Sequence, residues 1–267
     1  MSRALAAALF LLAAGTIAAL AQSASAPPDV VKDLAPTGRL RAAINASNVV
    51  LVQKDSAGQV QGITVDLARE LARRLGVPVD LNVYPTAGTV TEAAKTRAWD
   101  IGFIAIEPVR AALIGFTAPY VIIEGTYMVP ANSPLKTIAD VDHDGVRVAV
   151  AKGSAYDLYL SRTLQHAVLV RYPNAELSLP GFLADRLDAV AGVKQGLVQF
   201  AKTNTQVRVM DGHFQDIREA MGVPLGRTVG LQYLRGFVED MKASGFVKAA
   251  LERANQADAV IAPPAAN

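Results

Sequence analysis

Residues 100–120 read Asp100-Ile-Gly-Phe-Ile-Ala-Ile-Glu-Pro-Val-Arg110-Ala-Ala-Leu-Ile-Gly-Phe-Thr-Ala-Pro-Tyr120. The apolar run Ile101–Ile106 predicts a short buried strand, which leads directly into a turn and a helix that carries Arg110. An arginine just beyond the carboxyl end of a strand is well placed to hold a carboxylate in a cleft, because its planar guanidinium pairs with carboxylates through two hydrogen bonds. The alternatives are a surface arginine or an ion pair with Glu107 one turn earlier.

The sequence on both sides of this stretch alternates between strand and helix patterns. Before it, we predict a strand over 39–44, a helix over 64–75, a strand over 79–84 and a helix over 90–97. This β-α-β-α-β order predicts an α/β fold with a largely parallel sheet covered by helices. A second α/β unit is predicted from Pro130 onward. Its strands are expected over 146–151, 167–172, 189–193 and 207–210, its helices over 155–165, 184–187 and 195–202, and two more helices over 227–244 and 246–256.

The N-terminus has the pattern of a secretory signal peptide over residues 1–21. Arg3 supplies a positive charge, Ala4–Ala14 is a short apolar run, and Ala19-Leu-Ala21 offers the small residues that a signal peptidase requires, so we predict cleavage before Gln22. An uncleaved membrane anchor is the alternative, but the apolar run is shorter than the ~20 residues of a spanning helix. Residues 22–37 are predicted to be a linker that could include a short docking helix.

The composition argues against several classes of function. The 267 residues include no cysteine, so disulfides and thiolate chemistry are excluded, and the formal net charge of only +2 argues against a nucleic-acid partner. His143, His166 and His213 have no metal-ligand spacing, so we expect no metal and no cofactor. The roughly 245 residues left after signal removal are enough for one large or two medium domains.

Several short motifs recur in the order and spacing of a known family. They are Gly38-Arg-Leu-Arg41, Gly62-Ile-Thr-Val-Asp66-Leu-Ala-Arg-Glu-Leu-Ala72, Ala98-Trp-Asp100, Phe116-Thr-Ala-Pro-Tyr120, Lys152-Gly-Ser154 and Leu187-Asp-Ala-Val190. Together they resemble the family 3 periplasmic solute-binding proteins, the amino-acid-type receptors of ABC importers. The resemblance implies a two-lobed fold, with a mostly parallel, helix-flanked sheet in each lobe. It places lobe 1 at 38–125 plus 217–262, lobe 2 at 126–216, and hinge crossovers near Gly125 and Asp216.

The same resemblance implies a function. The chain would be the periplasmic substrate-binding component of an ABC importer, acting as a monomer. It would close on a small carboxylate-bearing solute, an amino acid or related organic acid, and deliver it to a membrane permease. The alternative is an enzyme on the same scaffold that is similar to cyclohexadienyl dehydratase, with Glu107 or Glu124 as a general acid.

A second anion site is predicted where Lys152-Gly-Ser-Ala155 follows a strand and opens a helix. Gly153 permits a tight turn, Ser154 can cap the helix, and the free N–H groups of the first turn attract an anion. An ordinary helix cap without a ligand is the alternative. The resemblance implies that this loop faces Arg110 across the cleft.

The chain departs from the family where the ligand's ammonium is usually bound. The family's aspartate five residues after the strand's first Asp corresponds, counting from Asp188, to Val193, which is followed by Lys194. The ligand would therefore either lack an ammonium or present it to another carboxylate, such as Glu107 or Asp157. Lys194 could contact a second anionic group of the ligand or could be a solvated lysine at the start of a helix.

Polar residues also stand where the family often has aromatic ones. Asn45, Asn48 and Thr89 could hydrogen-bond a polar ligand or could satisfy turns. Tyr84, Tyr127 and Tyr156 could supply a ring against the ligand or belong to the core, and Trp99 is expected to pack in the core. The predicted ligand-binding residues are Arg110, Ser154, Gly153, Ala155, Asn45, Asn48, Lys194, Val193 and Thr89.

Overall fold

The computed structural model describes residues 26–266, so the predicted signal peptide and its cleavage site lie outside the described residues. The helices are α1 (Pro28–Leu34), α2 (Ile63–Leu75), α3 (Ala87–Ala94), α4 (Pro108–Ala111), α5 (Ala155–Thr163), α6 (Ala175–Ala184), α7 (Lys194–Thr203), α8 (Thr228–Ala243) and α9 (Phe246–Arg253). The strands are β1 (Leu40–Asn45), β2 (Gln53–Lys54), β3 (Val60–Gln61), β4 (Val79–Tyr84), β5 (Ile101–Ala105), β6 (Ile114–Pro130), β7 (Arg147–Ala151), β8 (Val168–Tyr172), β9 (Ala189–Val193), β10 (Val207–Val209), β11 (Gln215–Pro224) and β12 (Val260–Ile261).

One ten-stranded sheet connects both halves of the molecule. Its order is β4-β1-β5-β11-β6-β9-β7-β8, and β10 and β12 also pair with β6. Strand β1 is parallel to both β4 and β5, and β7 is parallel to both β8 and β9. The prediction of a parallel sheet in each half is therefore confirmed, and the structure is α/β with two lobes.

The two lobes are joined by the antiparallel strands β6 and β11, which are the hinge crossovers. Glu124 of β6 pairs with Asp216 of β11, where the crossovers were expected. Beyond this point β6 pairs with β9 and β10 of the second lobe. Neither strand was predicted from periodicity. Pro119 interrupts the alternating apolar pattern of β6. The sheet accommodates this proline beside an irregularity in the pairing of β6 with β11, where the register shifts between Glu219 and Ala220.

After β11 the chain packs against elements from its N-terminal half. Helix α8 packs on β6, and α9 packs on α2. Arg253 of α9 pairs with Asp66 of α2 at 2.8 Å. The predicted linker contains α1, which packs on α8 through the buried Leu34, and the Gly230 N–H donates to Asp33 Oδ2 at 2.7 Å.

Two helix predictions need correction. The helix predicted over 90–97 begins earlier, at Ala87, because Thr86 accepts a hydrogen bond from the Thr89 N–H and caps α3. The short helix predicted over 184–187 is wrong. Helix α6 covers Ala175–Ala184 instead, where Asn174 caps its start and Pro180 within it obscures the helical pattern.

Asp100, directly before β5, connects three parts of the first lobe. Its fully buried carboxylate accepts hydrogen bonds from the Arg41 N–H and guanidinium, and from Arg227 Nη2 at 2.8 Å. The neighbouring Trp99 is also fully buried and donates to the Val90 carbonyl, so it packs in the core as expected. This ion cluster links β1 and β5 to the start of α8.

Across residues 26–266, we find no helix with both the length and the apolar character needed to cross a membrane.

Candidate functional site

A cavity of about 250 Å³ lies between the two lobes, where β1, β5, β7 and β9 end. Its size fits one small solute. Lobe 1 and the crossover β11 contribute mainly Asn45, Asn48, Ala105, Arg110, Ile217 and Glu219 to the lining, and lobe 2 contributes mainly Ala151, Ser154, Ala155, Tyr156, Gly192, Val193 and Leu197. The lining therefore combines a few polar groups with largely apolar walls.

Arg110 lies on the wall of this cavity and is only 1% exposed. Its Nη1 donates to the Ala105 carbonyl at 2.8 Å, and its Nη2 donates to the Gly153 carbonyl of the other lobe at 2.9 Å. Its Nε is buried and has no hydrogen-bond partner among the described residues. Burial lowers the pKa of the guanidinium, while Glu219 and Glu107 oppose that change. Arg110 therefore retains donor capacity for an anion in the cavity.

The expected alternatives for Arg110 do not occur. The side chain is not on the surface, and Glu107 pairs instead with Arg162 Nη1 at 2.6 Å and Gln215 Nε2 at 2.8 Å. The Glu107–Arg162 ion pair joins α5 of the second lobe to the first lobe. Glu107 is thus occupied by a structural contact and does not line the cavity.

The start of α5 faces the cavity through Ser154, Ala155 and Tyr156. Ser154 Oγ accepts from the Asp157 N–H at 3.0 Å, which caps the helix, and Asp157 Oδ2 accepts from the Gly153 N–H. The first N–H groups of a helix have no partner within it. The amides of Ala155 and Tyr156 can therefore donate to an anion in the cavity.

Glu219 is a cavity residue that the sequence analysis missed. It lies on β11 and is 4% exposed, and its Oε1 accepts from Asn48 Nδ2 at 3.0 Å. Asn48 is held in place because its Oδ1 accepts from the Val50 N–H. Burial raises the pKa of the Glu219 carboxyl to about 7, against the opposing effects of Arg110 and the Asn48 hydrogen bond.

Some predicted site residues lie elsewhere or act indirectly. Lys194 does not line the cavity and pairs with Glu124 at 2.6 Å, because β9 lies beside β6 and directs the lysine toward that strand. Thr89 is used in the cap of α3 and does not line the cavity either. Gly153 contributes its carbonyl to Arg110 rather than a surface of the cavity.

The remaining predicted residues line the cavity, with different roles. Val193 forms part of an apolar wall. Asn45 lines the cavity, but its Oδ1 accepts from both the N–H and the hydroxyl of Ser47, so it also stabilises a turn. Of the three candidate tyrosines, Tyr156 lines the cavity, whereas Tyr84 and Tyr127 do not.

The two lobes touch at a pair of glycines beside the cavity. A Cβ atom built on Gly153, which has a φ of +74°, would lie 3.1 Å from the Gly88 Cα. A Cβ atom built on Gly88 would lie 3.6 Å from the Gly153 Cα, an ordinary contact. Together with the Arg110–Gly153 and Glu107–Arg162 contacts, this approach holds the lobes together over the cavity.

We expect Gly153→Ala to destabilise the protein by about 1–2 kcal/mol, because a β-carbon is unfavourable at a left-handed φ. Gly88→Ala is the matched control and should cost less, since it creates neither strain nor a close contact. Urea unfolding of the two ligand-free variants measures the difference between their free energies of unfolding. Equal unfolding midpoints and slopes for the two variants would contradict the left-handed backbone conformation of Gly153.

Residues 40–256 match the model of the bacterial extracellular solute-binding proteins, family 3. The match covers most of the chain, and the protein belongs to this family. The resemblance found in the sequence is therefore confirmed.

Named relatives are amino-acid-binding proteins. The L-cystine-binding protein TcyJ of Escherichia coli (strain K12) is 22% identical over 200 residues, which cover 73% of this chain and 74% of that protein. A mutant of ArgBP from T. maritima has a similar structure, with a TM-score of 0.72 and 23% identity, covering 84% of this chain and 98% of that one. The ancestral amino acid-binding protein AncCDT-1, a precursor of cyclohexadienyl dehydratase, has a TM-score of 0.70 and 24% identity, covering 84% and 98% of the two chains.

Proposed function

We propose that the protein is the periplasmic substrate-binding component of an ABC importer, and that it closes as a monomer on a small carboxylate-bearing solute, an amino acid or a related organic acid. The observation that carries this proposal is the buried Nε of Arg110, which has no hydrogen-bond partner within residues 26–266 and lies beside a cavity between two lobes. Family membership supports the transport role.

The carboxylate would lie between Arg110 and the first turn of α5. Arg110 offers charged donors, and the amides of Ala155 and Tyr156 offer neutral ones from the other lobe. A cationic side chain is costly to bury unless an anion compensates it, so a carboxylate at this place gains both hydrogen bonds and charge compensation.

Closure would follow from the way the site is divided between the lobes. A solute bound to Arg110 contacts α5 only when the lobes are together, so binding favours the closed population. The permease would recognise that closed shape. The crossover strands β6 and β11 are the elements that must bend during this motion.

A thermal-shift panel of ligand-free protein tests the proposal. The panel holds amino acids, their deaminated analogues, small dicarboxylates, and the corresponding amines without a carboxylate. A solute at 100 times its Kd stabilises the folded state by about 2.7 kcal/mol, which corresponds to roughly 5 °C or more for a chain of this size. We expect shifts only from compounds with a carboxylate. Equal shifts from the matched amines, or none from any carboxylate, would contradict the proposed ligand class.

The second candidate function is an enzyme on this scaffold, and Glu219 is the observation that favours it. A buried carboxyl with a pKa of about 7 is suited to general acid catalysis. Glu124, one of the acids first considered, pairs with Lys194 and does not line the cavity. Product formation from prephenate or arogenate by purified protein would support this candidate, and absence of turnover above background would remove it.

A further inference from the structure

We propose that Glu219 receives the positive charge of the solute, so that the cavity selects solutes carrying both an anionic and a cationic group. This inference rests on the proposed function and specifies the substrate class of the same site. It assigns the role to a buried carboxylate on strand β11 of this chain, whereas the second lobe has the apolar Val193 in the cavity lining and its one lining carboxylate, Glu176, is exposed.

The first argument is the position of Glu219 relative to Arg110. Glu219 pairs in the sheet with Ala105, whose carbonyl accepts the Arg110 hydrogen bond. Paired residues of antiparallel strands have Cα atoms about 4.5–5.5 Å apart, so Glu219 starts beside the residue whose carbonyl binds the Arg110 side chain. Within the described part of the chain Arg110 and Glu219 form no ion pair, although each acts electrostatically on the other. A small solute with adjacent charged groups can therefore lie between them.

The second argument is the hydrogen-bonding capacity that remains. Glu219 Oε1 accepts from Asn48 Nδ2, and for residues 26–266 the structure gives its Oε2 no donor. Arg110 Nε likewise lacks an acceptor. The buried part of the lining thus has an acceptor on Glu219 and a donor on Arg110 that remain available, and these match the ammonium and carboxylate of a zwitterion.

The third argument is the charge of the rest of the cavity. The second lobe faces Glu219 with apolar or neutral residues, among them Val193, Gly192 and Leu197. Lys152 and Glu176 also line the cavity, but both are exposed, and solvent screens them. With Glu219 ionised, Arg110 and Glu219 cancel, so a zwitterion leaves the buried site neutral.

The groups that face Glu219 give the proposal a pH dependence of known sign. They are Arg110 from α4, Asn48, and Tyr120 from β6, and Tyr156 from α5 lines the same cavity. Burial raises the pKa of both tyrosines, so they stay neutral near pH 7. A bound ammonium favours ionised Glu219, whereas a carboxylate without an ammonium favours the protonated form. Affinity for a zwitterion should therefore rise with pH through 7, and affinity for a simple carboxylate should fall.

Isothermal titration calorimetry of the wild type and Glu219→Gln tests this at pH 6 and pH 8. The probes are the α-amino acid that gives the largest thermal shift and its deaminated analogue. With the Glu219 pKa at about 7, the amino acid should bind about tenfold more tightly to the wild type at pH 8 than at pH 6, and the analogue about tenfold more weakly.

Glu219→Gln should weaken amino-acid binding at least tenfold at pH 8 and remove the pH dependence of both probes. Glu124→Gln removes an acid from β6 outside the cavity and should keep the wild-type pH dependence. Titration of the wild type in buffers of different ionisation enthalpy should show proton release with the amino acid and uptake with the analogue, a readout that requires no variant. Binding of both probes without pH dependence or proton exchange would overturn this inference alone. Failure of every carboxylate to bind would overturn the proposed function as well.

Discussion

Arg110→Met is expected to weaken the binding of every carboxylate solute by at least about 100-fold. The methionine removes the charged donors that we assign to the carboxylate. Loss of one partner of a buried ion pair costs roughly 3–5 kcal/mol, and each 1.4 kcal/mol corresponds to about tenfold in Kd. Arg110→Lys keeps the charge but loses the planar fork, so its Kd should lie between those of the wild type and Arg110→Met. Titration calorimetry with the best-binding solute measures the three Kd values.

The control for this series is Arg218→Met. Arg218 precedes Glu219 on β11 and is exposed, so its removal should change Kd by no more than about twofold, as is usual at surfaces. Thermal unfolding of each ligand-free variant separates lost binding from lost folding. A folded Arg110→Met protein that retains wild-type affinity would show that the carboxylate binds elsewhere.

Asp100→Asn should lower the free energy of unfolding by about 3 kcal/mol or more, a larger loss than that expected for Gly153→Ala. The reason is that it leaves Arg41 and Arg227 without their counter-charge. Asp80→Asn is a matched control: Asp80 pairs with Arg39, two residues before Arg41, but that pair is exposed. Loss of an exposed pair costs much less, because water solvates and screens both charges. Urea unfolding of the ligand-free proteins gives both values, and equal losses would show that the Asp100 cluster contributes no more than a surface pair.

Arg110 could be predicted because its position depends on local sequence. The run from Ile101 to Arg110 contains the strand, the turn and the helix start that place the guanidinium. The first turn of α5 was predicted for the same reason, since Gly153 and Ser154 are a turn and a cap that act within a few residues. The parallel order of β1, β4 and β5 followed from alternation of strands and helices.

The position of Glu219 in the cavity could not be predicted from local sequence, because the residues that bury it are distant in the sequence. Its partner Asn48 is 171 residues away in sequence, and β11 becomes a central strand only by pairing with β5 and β6. One local signal was available: Ile217 and Met221, two residues to either side, are apolar, so Glu219 is an acid within the apolar pattern of a strand. The contact of Lys194 with Glu124 could not be predicted for a similar reason, because it depends on the pairing of β6 with β9.

The central place of β11 also determines the order in which the molecule can be assembled. Strands β7, β8 and β9 are close together in sequence and can pair early. The sheet of the first lobe has a gap between β5 and β6 until residues 215–224 have emerged, and long-range pairing of this kind is slow. The lobe that begins first in the chain is therefore completed last.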